Sequence, residues 1–411
     1  SFDGTANIDL SEVIQDTVGA MFSSNTETNI TATYEDSDGT IDLVADLLFS
    51  YHESADEYDI AIRDVIRESA FIGNDGNKFV HSFEANFAAF TGARHVIGCA
   101  NGTDAIEISL RALEVGAGDE VIVPAMTWIS TASAVLLAGA QPVFVDVGES
   151  DLNIDPGELE NAITSRTKAV IAVHLYGQPA QVQRIRSICD AHGLLLIEDC
   201  AQSHGATVDG VHCGNYGELS TFSFFPSKNL GGFGDAGCVV TNSKVLEQCV
   251  RRLRNHGQIV KNKHQELGRN SRLDGIQAAL LDVRLRHFQK ALEGRKKVAA
   301  YYVEHLSNPS VQLPPFIENR RSVYHQFVIR TKRRDALRDY LRNHNVATGI
   351  HYPQILPDIA LFGCDTDANR FSVARRIADE GVSLPIFPEM SAAQMAKVVN
   401  LINAFDGSAA L

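Results

Sequence analysis

Seven apolar runs limit what this chain can fold into: 95–99, 120–125, 141–147, 168–175, 194–200, 220–225 and 237–242. Most are rich in Val, Ile and Leu and lack strict apolar–polar alternation, as strands covered on both faces do. Helical spacing occupies several of the gaps, at 103–113, 155–163 and 179–192. Asp155-Pro156 reads as an N-cap followed by a first-turn proline. Repeated strand–helix–strand units predict a mainly parallel seven-stranded sheet between two helical layers, with ligands at the carboxyl ends of the strands.

After 272 the texture changes. Leu273, Ile276, Leu280 and Val283 recur at helical spacing, and a smaller α+β pattern begins near 300, with His325 to Arg330 as a strand. The expected division is a large α/β/α domain over 44–290 and a smaller α+β C-terminal domain over 291–411. Residues 1–43 differ from both, being rich in Thr, Ser, Asn and Asp and lacking Lys, Arg and Pro. Within them, 29–43 alternates around a Ser-Asp-Gly turn, a β-hairpin signal. It resembles short hairpins of phage-type virion and tail-fibre proteins, and it reads as an appendage without chemistry of its own.

The formal charge of −15 over 411 residues works against a general role on nucleic acid or an anionic membrane. Arg251, Arg252 and Arg254 could meet a phosphate, though a solvated helix face is the plainer reading. Seven scattered cysteines without a C-x-x-C pair fit free thiols in a reducing compartment, and no metal site is expected. No apolar run approaches the roughly 18 residues of a membrane span, and no signal-peptide pattern opens the sequence. The expected location is cytoplasmic.

Chemistry gathers at the strand ends. Lys228 lies in Ser223-Phe224-Phe225-Pro226-Ser227-Lys228-Asn229-Leu230-Gly231-Gly232, where a strand breaks into a glycine-rich loop. Asp199 ends the apolar run 194–197, and a carboxylate there needs a partner because an unpaired buried charge is expensive. An amine and a carboxylate so placed suit pyridoxal phosphate: the amine bonds the aldehyde and the carboxylate pairs with the pyridinium nitrogen. Asn101-Gly102-Thr103 follows a strand and opens a helix, which makes either an anion site or a plain helix cap. Trp128, the single tryptophan, sits at another strand end, where it could stack on a pyridine ring or pack in the core. Gln202 could reach the cofactor's phenolic oxygen, and Ser223 its phosphate. Taken singly, each of these residues has an ordinary structural reading. Their joint occurrence, in the order phosphate loop, aromatic, carboxylate, serine, lysine, favours the cofactor.

From about 44 onward the chain resembles the DegT-type nucleotide-sugar aminotransferases, pyridoxal phosphate enzymes of fold type I. The resemblance rests on NGTDAI at 101–106, PAMTWIST at 124–131, HLYGQP at 174–179, IEDCAQSHGA at 197–206, SFFPSKNLGGFGDAG at 223–237 and GRNSRLDGIQAA at 268–279. It implies that Lys228 is the Schiff-base lysine and Asp199 the pyridine partner. Trp128 would stack, Gln202 would contact the phenolic oxygen, and Gly102, Thr103 and Ser223 would hold the phosphate. It also implies a homodimer with shared sites, in which Asn270 reaches the neighbouring subunit's phosphate. His351 and Tyr352 match a segment near the sugar site. So does His174, which alternatively is a satisfied strand-end histidine. Two departures stand out: residues 1–43 are an addition, and Asn101 replaces the usual Ser.

The activity so implied moves an amino group from L-glutamate to a nucleotide-diphosphate keto-sugar. A dehydratase branch of the family replaces the lysine with histidine, so Lys228 argues against it. A regulatory protein that keeps the fold without turnover, and a virion-linked module anchored through 1–43, are the other rivals.

Overall fold

The computed structural model describes residues 54–72, 77–363, 367 and 370–406, so the hairpin expected within 1–43 lies outside the described residues. The chain enters through α1 (Ala55–Arg67) and α2 (Lys78–Thr91), then alternates β1 (His95–Cys99), α3 (Gly102–Ala112), β2 (Glu120–Pro124), α4 (Ser130–Leu137) and β3 (Gln141–Val145). It continues through α5 (Pro156–Asn161), β4 (Thr167–Val173), α6 (Val182–His192), β5 (Leu195–Asp199), β6 (Leu219–Ser223), β7 (Gly237–Thr241) and α7 (Lys244–Leu253).

All seven expected strands form one sheet in the order β1-β7-β6-β5-β4-β2-β3. Strand β7 runs antiparallel to both neighbours, and the other pairs are parallel. The missing polar alternation has a direct cause. Val121, Val123, Ala169 and Ile171 enter one core, while Ile122, Val170, Ala172 and Leu196 enter a second on the opposite face. Asp155 caps α5 by accepting from Gly157 N at 2.8 Å, with Pro156 in the first turn. Helix α6 begins at Val182 rather than 179, because Leu175–Gly177 forms a separate 3-10 turn.

A helix of 31 residues, α8 (Gly275–His305), follows. The boundary expected at 290/291 falls inside it. Its earlier turns (Ala278, Leu281, Phe288 and, past the expected boundary, Leu292) belong to the sheet's second core, and its last turns (Val298, Ala299, Tyr302) belong to the C-terminal core. The remaining elements are β8 (Phe327–Arg330), α9 (Arg334–Asn343), α10 (Ser372–Glu380), β9 (Gly381–Leu384) and α11 (Ala392–Ala404), with β8 and β9 antiparallel. No helix among the described residues is long and apolar enough to cross a membrane.

The arginine cluster differs from its expected solvated face. Arg251 pairs with Glu84 at 2.9 Å and with Glu247, Arg252 pairs with Glu266 at 2.8 Å, and Arg254 is only 1% exposed. Glu84 of α2 draws Arg251 and Arg254 inward, where an unpaired charge would be costly, while Arg252 pairs with Glu266 nearer the surface.

A helix cap ties the end of β3 to α10, whose buried residues Ala374, Ile377 and Ala378 join the first core of the sheet. Asp146, just past β3, accepts from Val373 N (3.0 Å) and Ala374 N (2.9 Å) at the start of α10. Phe371, ahead of that helix, has no capping side chain of its own. Asp146→Ala should therefore lower unfolding free energy by about 1 kcal/mol, as lost caps do, and Asp146→Asn should lose less. The denaturation midpoint measures both.

Candidate active site

The site forms where β1, β2, β4, β5 and β6 end. Asn101 caps α3, its Oδ1 accepting from Asp104 N at 2.8 Å. This is the cap reading, and it leaves the first turn of α3 oriented with its N–H groups toward the strand ends. A Cβ on Gly102 would lie 2.7 Å from Ser223 Cβ, and one on Gly237 would lie 2.5 Å from the Asn101 carbonyl carbon. Glycine at both positions lets the loop press against β6 and β7. Thr103 Oγ1 and Ser130 Oγ are 2.7 Å apart, and Ser223 Oγ accepts from Phe225 N at 3.3 Å. The result is a cradle of hydroxyls at a helix N-terminus, sized by the absent Cβ atoms and suited to an anion.

Asp199 is the last residue of β5. Its Oδ2 accepts from Thr131 Oγ1 at 2.8 Å and its Oδ1 from Ala201 N at 3.1 Å. Burial raises its pKa, and these two neutral donors only partly oppose the rise. A cationic N–H held against it would fit. Lys228 sits in the turn after β6, its N–H donating to Phe225 O at 2.8 Å. Burial lowers the amine to about 8, while the Asp199 charge pulls it upward.

Trp128 is 51% exposed, which excludes core packing. Its ring lies 5.6 Å from that of Tyr352, inclined at 45°. Gln202 Oε1 accepts from Tyr176 N at 2.6 Å, and its Nε2 donates to Tyr352 OH at 3.0 Å. His351 Nδ1 meets Ser383 Oγ at 2.8 Å. Asn270 is exposed and bridges Asn255. Its neighbours anchor it to the anion cradle: Arg269 pairs with Asp104 (2.7 Å) and Glu107 (2.8 Å), and Ser271 Oγ accepts from Ala100 N at 3.2 Å.

His174 is corrected to the strand-end reading. It is fully buried, its Nε2 is 3.0 Å from Glu198 Oε2, and its Nδ1 accepts from Ala180 N at 3.0 Å. Both ring nitrogens are engaged, so it offers nothing to a substrate. Strand alternation explains the partner, since Glu198 and Asp199 face opposite sides of β5. Burial opposes ionisation of Glu198, but His174 and the amides of Gly214 and Gly217 hold it below the usual carboxylate range. His174, Glu198 and Cys200 lie close enough to suggest a metal. Yet an Nδ1 that accepts a backbone N–H requires a protonated Nε2, which leaves no lone pair for an ion. Burial also pushes the Cys200 thiol up to about 12.

Two residues not singled out from the sequence take part: Thr131, which orients Asp199, and Tyr176, which orients Gln202. Both lie inside quoted motifs, PAMTWIST and HLYGQP, but nothing local shows their long-range partners.

The profile of the DegT/DnrJ/EryC1/StrS aminotransferase family matches residues 54–403. The chain is 42% identical over 360 residues to UDP-N-acetyl-3-dehydro-alpha-D-glucosamine 3-aminotransferase of Acidithiobacillus ferrooxidans, covering 87% of this chain and 96% of that one. It is also 42% identical to a pleiotropic regulatory protein of Geobacillus stearothermophilus (88% and 97% covered). A third relative, 42% identical with 79% and 90% covered, is the dTDP-3-amino-3,6-dideoxy-alpha-D-galactopyranose transaminase of Aneurinibacillus thermoaerophilus. Among solved structures, S. venezuelae DesV in complex with a ketimine intermediate superposes with a TM-score of 0.84 at 38% identity, covering 87% of this chain and 96% of that one.

A lysine held near 8 is half neutral at that pH, and only the neutral amine attacks an aldehyde. Capture of pyridoxal phosphate by the apoprotein, fixed with borohydride at saturating aldehyde, should rise as pH approaches 8 and level off above it. Asp199→Asn removes the charge that raises the amine's pKa, so the midpoint should move to lower pH.

Proposed function

We propose, from the premise that this chain belongs to the DegT/DnrJ/EryC1/StrS aminotransferase family, that it moves an amino group from L-glutamate to a nucleotide-linked keto-sugar at Lys228. The observation that carries this reading is the pairing of an amine held near 8 with a buried carboxylate that lacks a full counter-charge. The residues present fit pyridoxal phosphate, the cofactor of this family. When bound, that group supplies an electron-withdrawing ring that lets a carbon next to nitrogen lose a proton.

The chain's own residues do the rest. Lys228 Nζ would hold the cofactor through its aldehyde and, as a buried amine, would carry the proton taken from the donor's α-carbon. Asp199, oriented by Thr131, would pair with the ring nitrogen and favour its protonated form. Gln202 would contact the phenolic oxygen, and Trp128 would stack on the ring. Gly102, Thr103 and Ser223 would hold the phosphate, with Asn270 of a second subunit in a homodimer. His351 and Tyr352 would border the acceptor sugar.

The Acidithiobacillus and Aneurinibacillus relatives are both named for carbon 3 of the sugar, one with UDP and one with dTDP. We therefore place the keto group at carbon 3. The large domain (44–290) and the small domain (291–411) are joined through α8, which runs across their boundary, and the enzyme works in the cytoplasm. A regulatory role, as the Geobacillus relative's name suggests for that protein, is disfavoured here by the presence of lysine, aspartate and serine together.

Incubation with nitrogen-15 glutamate and a panel of UDP- and dTDP-linked 3- and 4-keto sugars, read by mass, tests the reading. Labelled 3-amino sugar and 2-oxoglutarate are expected. Lys228→Ala should reduce amino exchange between glutamate and 2-oxoglutarate by about 10³-fold or more, the scale of a lost acid–base group, and exchange at the wild-type rate would refute the assignment.

A further inference from the structure

Tyr176 follows β4 with a left-handed backbone, φ 60°, rare for a residue with a side chain. Such a conformation persists where surrounding contacts over-determine it. Each polar group of Tyr176 meets a different segment. Its N–H donates to Gln202 Oε1 at 2.6 Å, and its carbonyl accepts from Gln326 N at 3.2 Å. Its hydroxyl, on a ring only 5% exposed, donates to the carbonyl of His351.

These contacts close a ring. From Tyr176 it passes to Gln202, through the Gln202 amide to Tyr352 OH, across one peptide bond to His351, and back to the Tyr176 hydroxyl. Two members come from the large domain and two from the C-terminal part. The Tyr176 N–H also fixes which way the Gln202 amide points. A flipped amide would set NH₂ against N–H, two donors with no acceptor. Burial raises the Tyr176 pKa, so its hydroxyl remains a donor.

We propose that Tyr176 is a positioning residue: its backbone aims Gln202 and its hydroxyl sets His351-Tyr352, so that the cofactor-side amide and the Trp128–Tyr352 aromatic pair are held as one unit. The inference rests on the function proposed above. A hydroxyl that merely satisfied a carbonyl would contribute stability alone and would leave Trp128 and the two half-reactions in their wild-type relation.

Tyr176→Phe keeps the ring and the N–H and removes one donor. Trp128 is the only tryptophan in the chain, so its emission reports on the unit with or without cofactor. The expected result is a red shift of that emission in the folded apoprotein. In the holoenzyme, KM for the UDP-linked 3-keto N-acetylglucosamine should rise about fivefold to tenfold, the factor one hydrogen bond is worth, while the half-reaction with glutamate stays within about twofold. Unchanged emission, or an equal loss in both half-reactions, overturns the proposal. Tyr352→Phe, which removes the other end of the ring, should reproduce the red shift and decides the matter if Tyr176→Phe does not fold. Failure of the wild-type protein to exchange glutamate would sink the proposed function and leave the emission to judge the ring.

Discussion

The cost of burying charge organises this molecule. Asp199 and Lys228 lie at the ends of neighbouring strands, and each is pushed by burial toward its neutral form. Each offsets the other only in part. Such a pair is a weak source of stability, and its cost is tolerated where a ligand completes it. The surrounding architecture follows from that demand. Two apolar cores cover both faces of the sheet and keep the strand ends dry, and Thr131 and the Ala201 amide supply the minimum of neutral donors. One residue before Asp199, Glu198 shows the opposite solution, a carboxylate so fully bonded to His174, Gly214, Tyr216 and Gly217 that it has nothing left to offer.

What could be read from the chain was what depends on short-range pattern. The seven strands were legible because burial on both faces leaves continuous apolar runs, and Asp155-Pro156 because a cap and a first-turn proline are adjacent. Lys228, Asp199 and Gln202 drew notice because each stands at a strand end inside a dense motif, and the structure buries Asp199, Gln202 and the amine of Lys228 there. The rest depends on partners far along the chain. Nothing near Arg251 announces Glu84, so its inward turn was hidden. His174 looked available because the residue that claims it lies on the next strand. Exposure excludes core packing for Trp128, a property that one aromatic in an apolar segment does not declare.

The anion cradle shows how sequence, packing and chemistry join. Gly102 and Gly237 matter for the space they leave, since a Cβ on either would collide with the opposing segment. That close approach brings Ser223 against the start of α3. On the far side, Arg269 ties the Asn270 segment to the same helix through Asp104 and Glu107. One helix therefore gathers the hydroxyls at its tip and the bridging segment on its flank.

The long helix α8 carries a consequence for how the protein could be divided. Its early turns are mortised into the sheet and its late turns into the C-terminal core. A polypeptide cut at 290 would leave Val298, Ala299 and Tyr302 without the helical scaffold that presents them, and would leave the sheet with a truncated buttress. The two units thus share one beam. Heat or denaturant should take them down as a single cooperative block, and recombination between relatives would keep its function only with crossover points outside Gly275–His305.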